Sequence, residues 1–224
     1  MNRCLKQILV SVTLVVAAAF QSQAQYYELA NQLPSLISPA LSGSMRYKGY
    51  AEAGFTGGFT DNKANFMSFS TSQGFQYSDW FFMGAGLGID VTFRNNDLRS
   101  DLSSDRRRYS TTSTGVMMPV FTDFRFTIGG SKSVAAFFID LKIGATFLLG
   151  NNYMEFQDGY LTNNANFYLK PSAGVRIPVN SKNPRQAVNI GLTYQLITSN
   201  NNLTWYGGNS LTLNSIGATI GYEW

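Results

Sequence analysis

The 224-residue chain contains no histidine and one cysteine, Cys4. The lack of histidine excludes Ser-His and Cys-His nucleophilic machinery and removes the commonest metal ligand. Cys4 lies in a segment that we expect to be removed, so the mature protein would have neither a disulfide nor thiol chemistry. We therefore expect no catalytic residue, no metal and no cofactor, and a protein that is not an enzyme.

Charged residues are also scarce, at 13% of the chain, whereas soluble domains carry about 25%. The 17 Lys and Arg residues stand against 13 Asp and Glu residues. Loss of the first 24 residues would remove two basic residues, Arg3 and Lys6, and no acidic residue. This near-neutral balance gives no case for nucleic-acid binding.

The first 24 residues have the layout of a secretory signal peptide. Two basic residues precede an apolar run from Ile8 to Phe20, and small residues follow at Ser22 and Ala24. The run is too short to span a bilayer comfortably as a helix. We predict a signal peptide over 1–24, a periplasmic lead-in segment over 25–45 and one domain over 46–224.

After this leader, no segment has the roughly 20 consecutive apolar residues of a membrane helix. A chain that crosses lipid without such a helix must form a closed β-barrel, because lipid cannot satisfy an unpaired strand edge. Apolar and polar residues alternate in eight segments, which we predict to be strands: Arg46–Phe59, Asn65–Tyr77, Trp80–Phe93, Val116–Ile128, Val134–Leu149, Asn164–Pro178, Ala187–Ile197 and Leu211–Trp224.

The connections between these strands alternate in length. Short turns follow the second, fourth and sixth strands, whereas long polar connections follow the third, fifth and seventh. In transmembrane barrels the short turns face the periplasm and the long loops face outward, with both termini periplasmic when the strand number is even. The alternation predicts an eight-stranded antiparallel up-and-down transmembrane β-barrel, an all-β fold.

Each strand has an apolar face and a face of small or polar residues. In the third strand Leu87 and Ile89 share the apolar parity, while Gly86, Gly88 and Asp90 share the other. Glycine, serine and threonine suit the narrow interior of an eight-stranded barrel. The final strand places Tyr222 and Trp224 on its apolar face, and we expect Trp224 to pair with the first strand in the periplasmic aromatic girdle.

From Arg46 to Trp224 the chain resembles the small eight-stranded outer-membrane barrels, such as the OmpA barrel and OmpX. The resemblance rests on the strand number, the alternating loops, the stretches "FFMGAGLGIDV" and "FYLKPSAGVRIPV", and the terminal aromatic residue. It implies the outer membrane of a Gram-negative bacterium, and it makes Tyr222 and Trp224 the signal read by the barrel-assembly machinery. The chain departs from the family where Thr219 replaces a usual glycine.

Strand parity predicts an interior network of charged side chains. Its members are Arg46, Lys48, Glu52, Asp90, Asp123, Arg125, Asp140, Lys142, Lys170, Arg176 and Glu223. A closed interior requires such balance, because a charge removed from water must be paired. Asp123 and Asp140 could alternatively act as an acid and base pair, but neighbouring Arg125 and Lys142 favour ion pairs.

We expect an outer-membrane barrel with a plugged interior that contributes to envelope structure and to surface recognition or adhesion. Two alternatives are a narrow pore for small solutes and a soluble periplasmic lipid carrier of the lipocalin type. The expected partners are outer-membrane lipids and lipopolysaccharide, the barrel-assembly machinery and a surface ligand at loop 94–115. That loop contains Arg106, Arg107 and Arg108, but nearby aspartates nearly balance their charge.

Overall fold

A computed structural model describes residues 45–60, 64–94, 114–129, 135–150, 153–156, 159–180, 183–199 and 211–224. The expected signal peptide and nearly all of the expected lead-in segment lie outside these residues, as do Arg106, Arg107 and Arg108. No helix within the described ranges is both long enough and apolar enough to cross a membrane.

Eight antiparallel strands close into a barrel in the order β1-β10-β9-β8-β5-β4-β3-β2. Two further strands, β6 and β7, form a separate antiparallel pair. The bounds are β1 Arg46–Gly58, β2 Ala64–Ser78, β3 Phe81–Arg94, β4 Thr114–Ile128, β5 Ala136–Leu149, β6 Tyr153–Phe156, β7 Gly159–Thr162, β8 Asn166–Asn180, β9 Asn183–Ser199 and β10 Leu211–Glu223.

The barrel confirms the fold class and the eight strands expected from the alternating pattern. Its strands range from the 13 residues of β1 to the 17 residues of β9, and a tilted strand needs about 9 to 11 residues to cross a bilayer. Burial alternates with a period of two along β4, as the sequence pattern requires. One face of each strand therefore points into the barrel and the other points outward.

Most strand ends lie within two residues of the sequence-based expectation, and the two largest differences concern β9 and the β6–β7 hairpin. β9 begins at Asn183 instead of Ala187, because β8 and β9 continue to pair past a register shift between Pro178 and Asn180. The β6–β7 hairpin was expected to be loop. Its strands are only 4 residues long, too short to show a clear alternating pattern within a polar connection.

Candidate functional site

The outer surface of the barrel is apolar along the strands. Leu87, Phe137 and Leu192 are 56%, 67% and 69% exposed. In the described ranges, the exposed charged side chains of the eight barrel strands, Arg46 and Arg185, lie near the first residues of β1 and β9, and the middle of each strand exposes no Asp, Glu, Lys or Arg. A surface of this kind is costly in water and favourable in hydrocarbon.

The few polar side chains on this surface find partners locally. Thr71 Oγ1 donates to the carbonyl of Tyr50 at 3.0 Å, and Thr122 Oγ1 donates to the carbonyl of Ile143 at 3.1 Å. Gln73 Nε2 donates to Thr71 Oγ1 at 3.1 Å, and Gln73 Oε1 accepts from the hydroxyl of Tyr47. Lipid offers no partner to an unsatisfied polar group, so these hydrogen bonds make the outer surface compatible with a bilayer.

The barrel closes where β10 pairs with β1. At this seam Trp224 N donates to the Gly49 carbonyl at 3.1 Å, and Gly49 N donates to the Trp224 carbonyl at 3.2 Å. The indole of Trp224 also covers Gly49, since a Cβ added there would lie 2.5 Å from Cζ2. Tyr222 stacks beside Trp224 with ring centroids 6.3 Å apart. The two expected assembly-signal residues thus lie together at the outside of the seam.

The interior contains ten buried charged side chains among the described residues, five of each sign. They are Lys48, Glu52, Asp90, Asp123, Arg125, Asp140, Lys142, Lys170, Arg176 and Glu223. Arg46 was expected to join them, but the structure places it in an exposed position. It has the inward parity but begins β1, where the strand has not yet entered the barrel.

The central cluster joins residues from three strands. Arg125 forms ion pairs with Glu52 and, at 3.2 Å, with Asp140. Lys142 lies 2.6 Å from Glu52 and also pairs with Asp140, and its Nζ is 4.0 Å from Asp123. The shared carboxylates link β1, β4 and β5 across the interior. The cluster therefore occupies the lumen and also holds these three strands together.

Aromatic rings surround the guanidinium of Arg125. Its Cζ lies 4.0 Å from the ring centroid of Tyr50 and 4.8 Å from that of Phe138. The Tyr50 ring in turn packs edge-on against Phe82, with centroids 4.8 Å apart. Cation–π contacts strengthen when the cation is removed from water. These three inward-facing rings were not among the predicted site residues, although their parity in the sequence indicates the interior.

A second cluster lies at the short-turn end. Glu223 forms ion pairs with Arg176 and, at 3.1 Å, with Lys48. Asn189 Nδ2 donates to Glu223 Oε2 at 3.4 Å. This second cluster has two cations and one anion, so its net charge is +1. The central cluster has two cations and three anions, so its net charge is −1. The two net charges cancel within the interior.

The remaining two buried charges, Asp90 and Lys170, lie nearer the long-loop end. Gln195 Nε2 donates to Asp90 Oδ2 at 3.0 Å. Lys170 Nζ donates to Ser68 Oγ at 2.8 Å. Among the described residues, neither Asp90 nor Lys170 forms an ion pair.

The long-loop end of the interior is apolar and is covered by the β6–β7 hairpin. The hairpin buries Met154, Phe156 and Leu161 against the inward-facing residues of the barrel wall. The wall residues of this apolar cluster are Ala64, Phe66, Met117, Phe121, Leu148, Tyr168, Ile197, Leu211 and Leu213. The interior is therefore layered, with charged clusters toward the short turns and an apolar cluster beneath the hairpin.

Acid and base chemistry at Asp123 and Asp140 finds little support in this geometry. Asp140 forms ion pairs with both Arg125 and Lys142, and Ser72 Oγ donates to Asp123 Oδ2. Both carboxylates are fully buried, so they have no access to a substrate in solution. In the part of the chain that the structure describes, no group of three or more His, Cys, Asp or Glu residues could hold a metal ion.

The closed barrel, its largely apolar outer surface and its polar interior define the fold class of small eight-stranded outer-membrane barrels. Solved structures of this class resemble the chain. Neisserial surface protein A (NspA) is 13% identical, with a TM-score of 0.50, and the match covers 80% of this chain and 97% of NspA. At this identity the likeness shows the fold, a closed eight-stranded barrel.

Two further solved structures are similar. The N-terminal β-barrel domain of Pseudomonas aeruginosa OprF is 10% identical, with a TM-score of 0.41, and the match covers 79% of this chain and 97% of that domain. The outer membrane enzyme PagL is 14% identical, with a TM-score of 0.43, and the coverage is 79% and 97%. No family model matches the chain, and no curated protein matches it.

PagL corrects one expectation. We expected a protein that is not an enzyme, yet PagL is an outer membrane enzyme. Membership of this fold class therefore does not exclude catalysis, and the expectation is withdrawn. The likeness to PagL shows nothing about an activity of this chain.

The lipocalin alternative also disagrees with the structure. A soluble lipid carrier of that type would turn the apolar face of its strands inward. Here the apolar face points outward and the charged residues point inward.

Proposed function

We propose that the protein is a non-conducting outer-membrane barrel that supports the envelope and displays its long loops for recognition or adhesion at the cell surface. The observation that carries this proposal is the filled interior. Among the described residues, five positive and five negative side chains are buried there, and Glu52 on β1 forms ion pairs with Arg125 and Lys142 on the opposite part of the wall. The apolar cluster and the hairpin then fill the long-loop end.

The balance of charge argues against the alternative of a narrow pore. A selective pore is usually lined by an excess of one sign, which sets its selectivity. Buried groups that are paired with one another present no free charge to a passing ion. An eight-stranded barrel has little room left once side chains fill it.

Conductance in planar lipid bilayers tests the filled interior. Purified protein should give no stable channel. A variant with Arg125 and Lys142 both replaced by Ala lacks the cations of the central cluster. Its conductance, compared with that of the unaltered protein, tests whether these side chains obstruct the lumen. Reproducible ion-selective channels from the unaltered protein would overturn the proposal and favour the pore.

We further propose that the short turns and both termini face the periplasm, and that loop 94–115 faces the cell exterior. The alternation of short turns and long connections supports this orientation. Protease added to intact cells should cut the chain at Arg106–Arg108 and spare the turn between β4 and β5. Cleavage with the opposite preference would show that the barrel is inserted the other way.

The expected surface ligand can then be sought with this loop. Intact barrel and a variant lacking residues 94–114 should be compared for binding to lipopolysaccharide and to host-cell surfaces. The proposal predicts that binding is lost with the loop while the barrel remains folded. Equal binding by both proteins would remove loop 94–115 from the recognition surface.

A further inference from the structure

The long-loop end of the interior contains four buried polar atoms that have no hydrogen-bond partner among the residues that the structure describes. They are Oδ1 of Asp90, Oγ1 of Thr92, Oγ1 of Thr146 and Oε1 of Gln195. All four residues are fully buried, with an exposure of 0%. An unsatisfied buried polar group is destabilising, so these four groups call for a physical explanation.

These four residues lie next to the apolar cluster. Asp90 pairs directly with Met117 across the β3–β4 ladder. Thr146 and Gln195 each lie one inward position from a cluster member, Leu148 and Ile197 respectively.

Thr92 lies beside the hairpin. A Cβ added to Gly115 would lie 3.1 Å from Thr92 Cγ2 and 2.8 Å from Met154 Sδ. Thr92 also pairs with Phe66, a member of the apolar cluster. The four polar residues therefore alternate with cluster members in the barrel wall next to the hairpin, and we call them the floor.

The charged residues at this floor and near it, Asp90 and Lys170, indicate which kind of ligand group could bind there. Asp90 and Lys170 are the buried acid and base of the described residues that form no ion pair. A cationic ligand would be repelled by Lys170, and an anionic ligand would be repelled by Asp90. An uncharged group with hydroxyls suits both, because hydroxyls donate to the free oxygens of Asp90 and Gln195 and accept from threonine hydroxyls or Lys170.

The hairpin is held differently from the barrel strands. β6 and β7 pair with each other and form a sheet of their own. Their described contacts with the wall include those of the apolar side chains Met154, Phe156 and Leu161 and a hydrogen bond that Asn166 Nδ2 of β8 donates to the Thr162 carbonyl at 3.0 Å. Another apolar chain that entered the same space could replace these side chains without breaking a strand ladder of the barrel.

We propose that the long-loop end of the interior binds a single-chain lipid with an uncharged, hydroxyl-bearing head group, and that the β6–β7 hairpin is its lid. The head group lies on the floor formed by Asp90, Thr92, Thr146 and Gln195. The acyl chain takes the place of the apolar side chains of the hairpin. An eight-stranded barrel is wide enough to hold one small ligand. The proposal does not depend on the orientation of the barrel or on a surface partner.

Native mass spectrometry of the folded barrel released from detergent tests the site. Two probes of equal chain length are used, monolauroylglycerol, which carries two free hydroxyls, and methyl laurate, which carries none. The proposal expects one bound monolauroylglycerol per barrel and at least about tenfold weaker binding of methyl laurate, as for a site that loses hydrogen-bonded partners. This comparison uses the unaltered protein and needs no variant to fold.

Three variants locate the bound lipid. Thr92→Val with Thr146→Val removes two hydroxyls that have no partner among the described residues, so the barrel should fold and bind monolauroylglycerol more weakly. Thr127→Val, at the opposite end of β4, is the matched control and should bind normally. Met154→Ser with Leu161→Ser loosens the lid and should raise the apparent affinity, because the binding-competent state becomes more populated.

Three results would overturn the proposal. One is the absence of a bound monolauroylglycerol, and another is equal binding of the two probes. The third is binding of equal strength by the unaltered protein and by the Thr92→Val, Thr146→Val variant, which would place the lipid on the outer surface of the barrel.

Discussion

Individual buried side chains hold this barrel together through charge. Arg125 is the clearest case, because it is 1% exposed, forms ion pairs with Glu52 and Asp140, and lies against the ring of Tyr50. Removal of one partner from a buried pair leaves the other charge uncompensated, which costs more than the pair itself contributes.

We predict that Arg125→Ala lowers the free energy of unfolding by about 3 to 5 kcal/mol. Glu52 and Asp140 would keep only Lys142 as a partner. Urea unfolding in detergent micelles, followed by heat-modifiable gel migration, measures the change. Arg46→Ala provides the control, since Arg46 is exposed and its loss should leave the unfolding midpoint where it is. An unaltered midpoint for Arg125→Ala would mean that the central cluster does not stabilise the barrel.

A residue on the outer face tests the assignment of faces. Leu87 lies near the middle of β3 and is 56% exposed. Leu87→Arg should destabilise the inserted barrel by about 2 to 4 kcal/mol, because arginine is costly near the bilayer midplane. Leu87→Met is the matched control and should insert normally. Normal insertion and stability of the arginine variant in lipid vesicles would contradict the proposal that this face contacts hydrocarbon.

At the level of strands, β1 carries two outward-facing glycines in different surroundings. A Cβ added to Gly49 would lie within 2.6 Å of two atoms of the Trp224 indole, whereas a Cβ added to Gly57 would meet only Asn65 Oδ1, at 3.6 Å. Glycine is thus required at the seam between β1 and β10 by the close approach of the indole, and it is not required by space at Gly57.

We predict that Gly49→Ala lowers the yield of folded barrel and the temperature of its heat-induced unfolding. The new methyl group must displace the indole of Trp224 or the side chain of Gln73. Gly57→Ala, on the same face of the same strand, is the control and should fold with normal yield. Refolding into lipid vesicles, scored by gel migration, distinguishes the two. If both variants fold alike, the contact between Trp224 and Gly49 is not important for closure.

The strands themselves could be predicted from the sequence because alternation is a local property. The predicted third strand, Trp80–Phe93, differs from β3, Phe81–Arg94, by one residue at each end. The β6–β7 hairpin could not be separated from loop in the same way, since it depends on contacts with the barrel wall. The pair Asp158-Gly159, flanked by "YMEF" and "YLT", is nevertheless a hairpin signal in the sequence.

Strand parity also predicted which residues belong to the interior network, but it did not predict which of them pair with one another. Asp140 and Arg125 face each other across the β4–β5 ladder, so a correct register predicts that pair. Glu52 reaches Arg125 and Lys142 through the lumen, and this contact depends on barrel closure and on side-chain length. Arg46 was wrongly predicted to be buried, because parity gives the direction of a side chain but not its depth in the barrel.

For the whole molecule, the location of the ion pairs determines how stability depends on salt. Salt screens exposed charges over a Debye length of about 10 Å at 0.1 M, but it acts much less on buried pairs. We predict that the unfolding temperature changes little between about 0.05 M and 0.5 M NaCl. Heat-modifiable migration in a neutral detergent measures it. A marked fall in the unfolding temperature with added salt would indicate that the interior charges are open to solvent.

The pairing of β1 with β10 also has a consequence for the order of events during synthesis. The first strand of the barrel to leave the ribosome finds one of its two neighbours only after the last strand has been made. Until then the sheet has two open edges, each with unpaired backbone groups that can bind other chains. The half of the seam that contains Gly49 therefore stays unpaired until Trp224 has been made, and the unfinished barrel needs protection from aggregation until then.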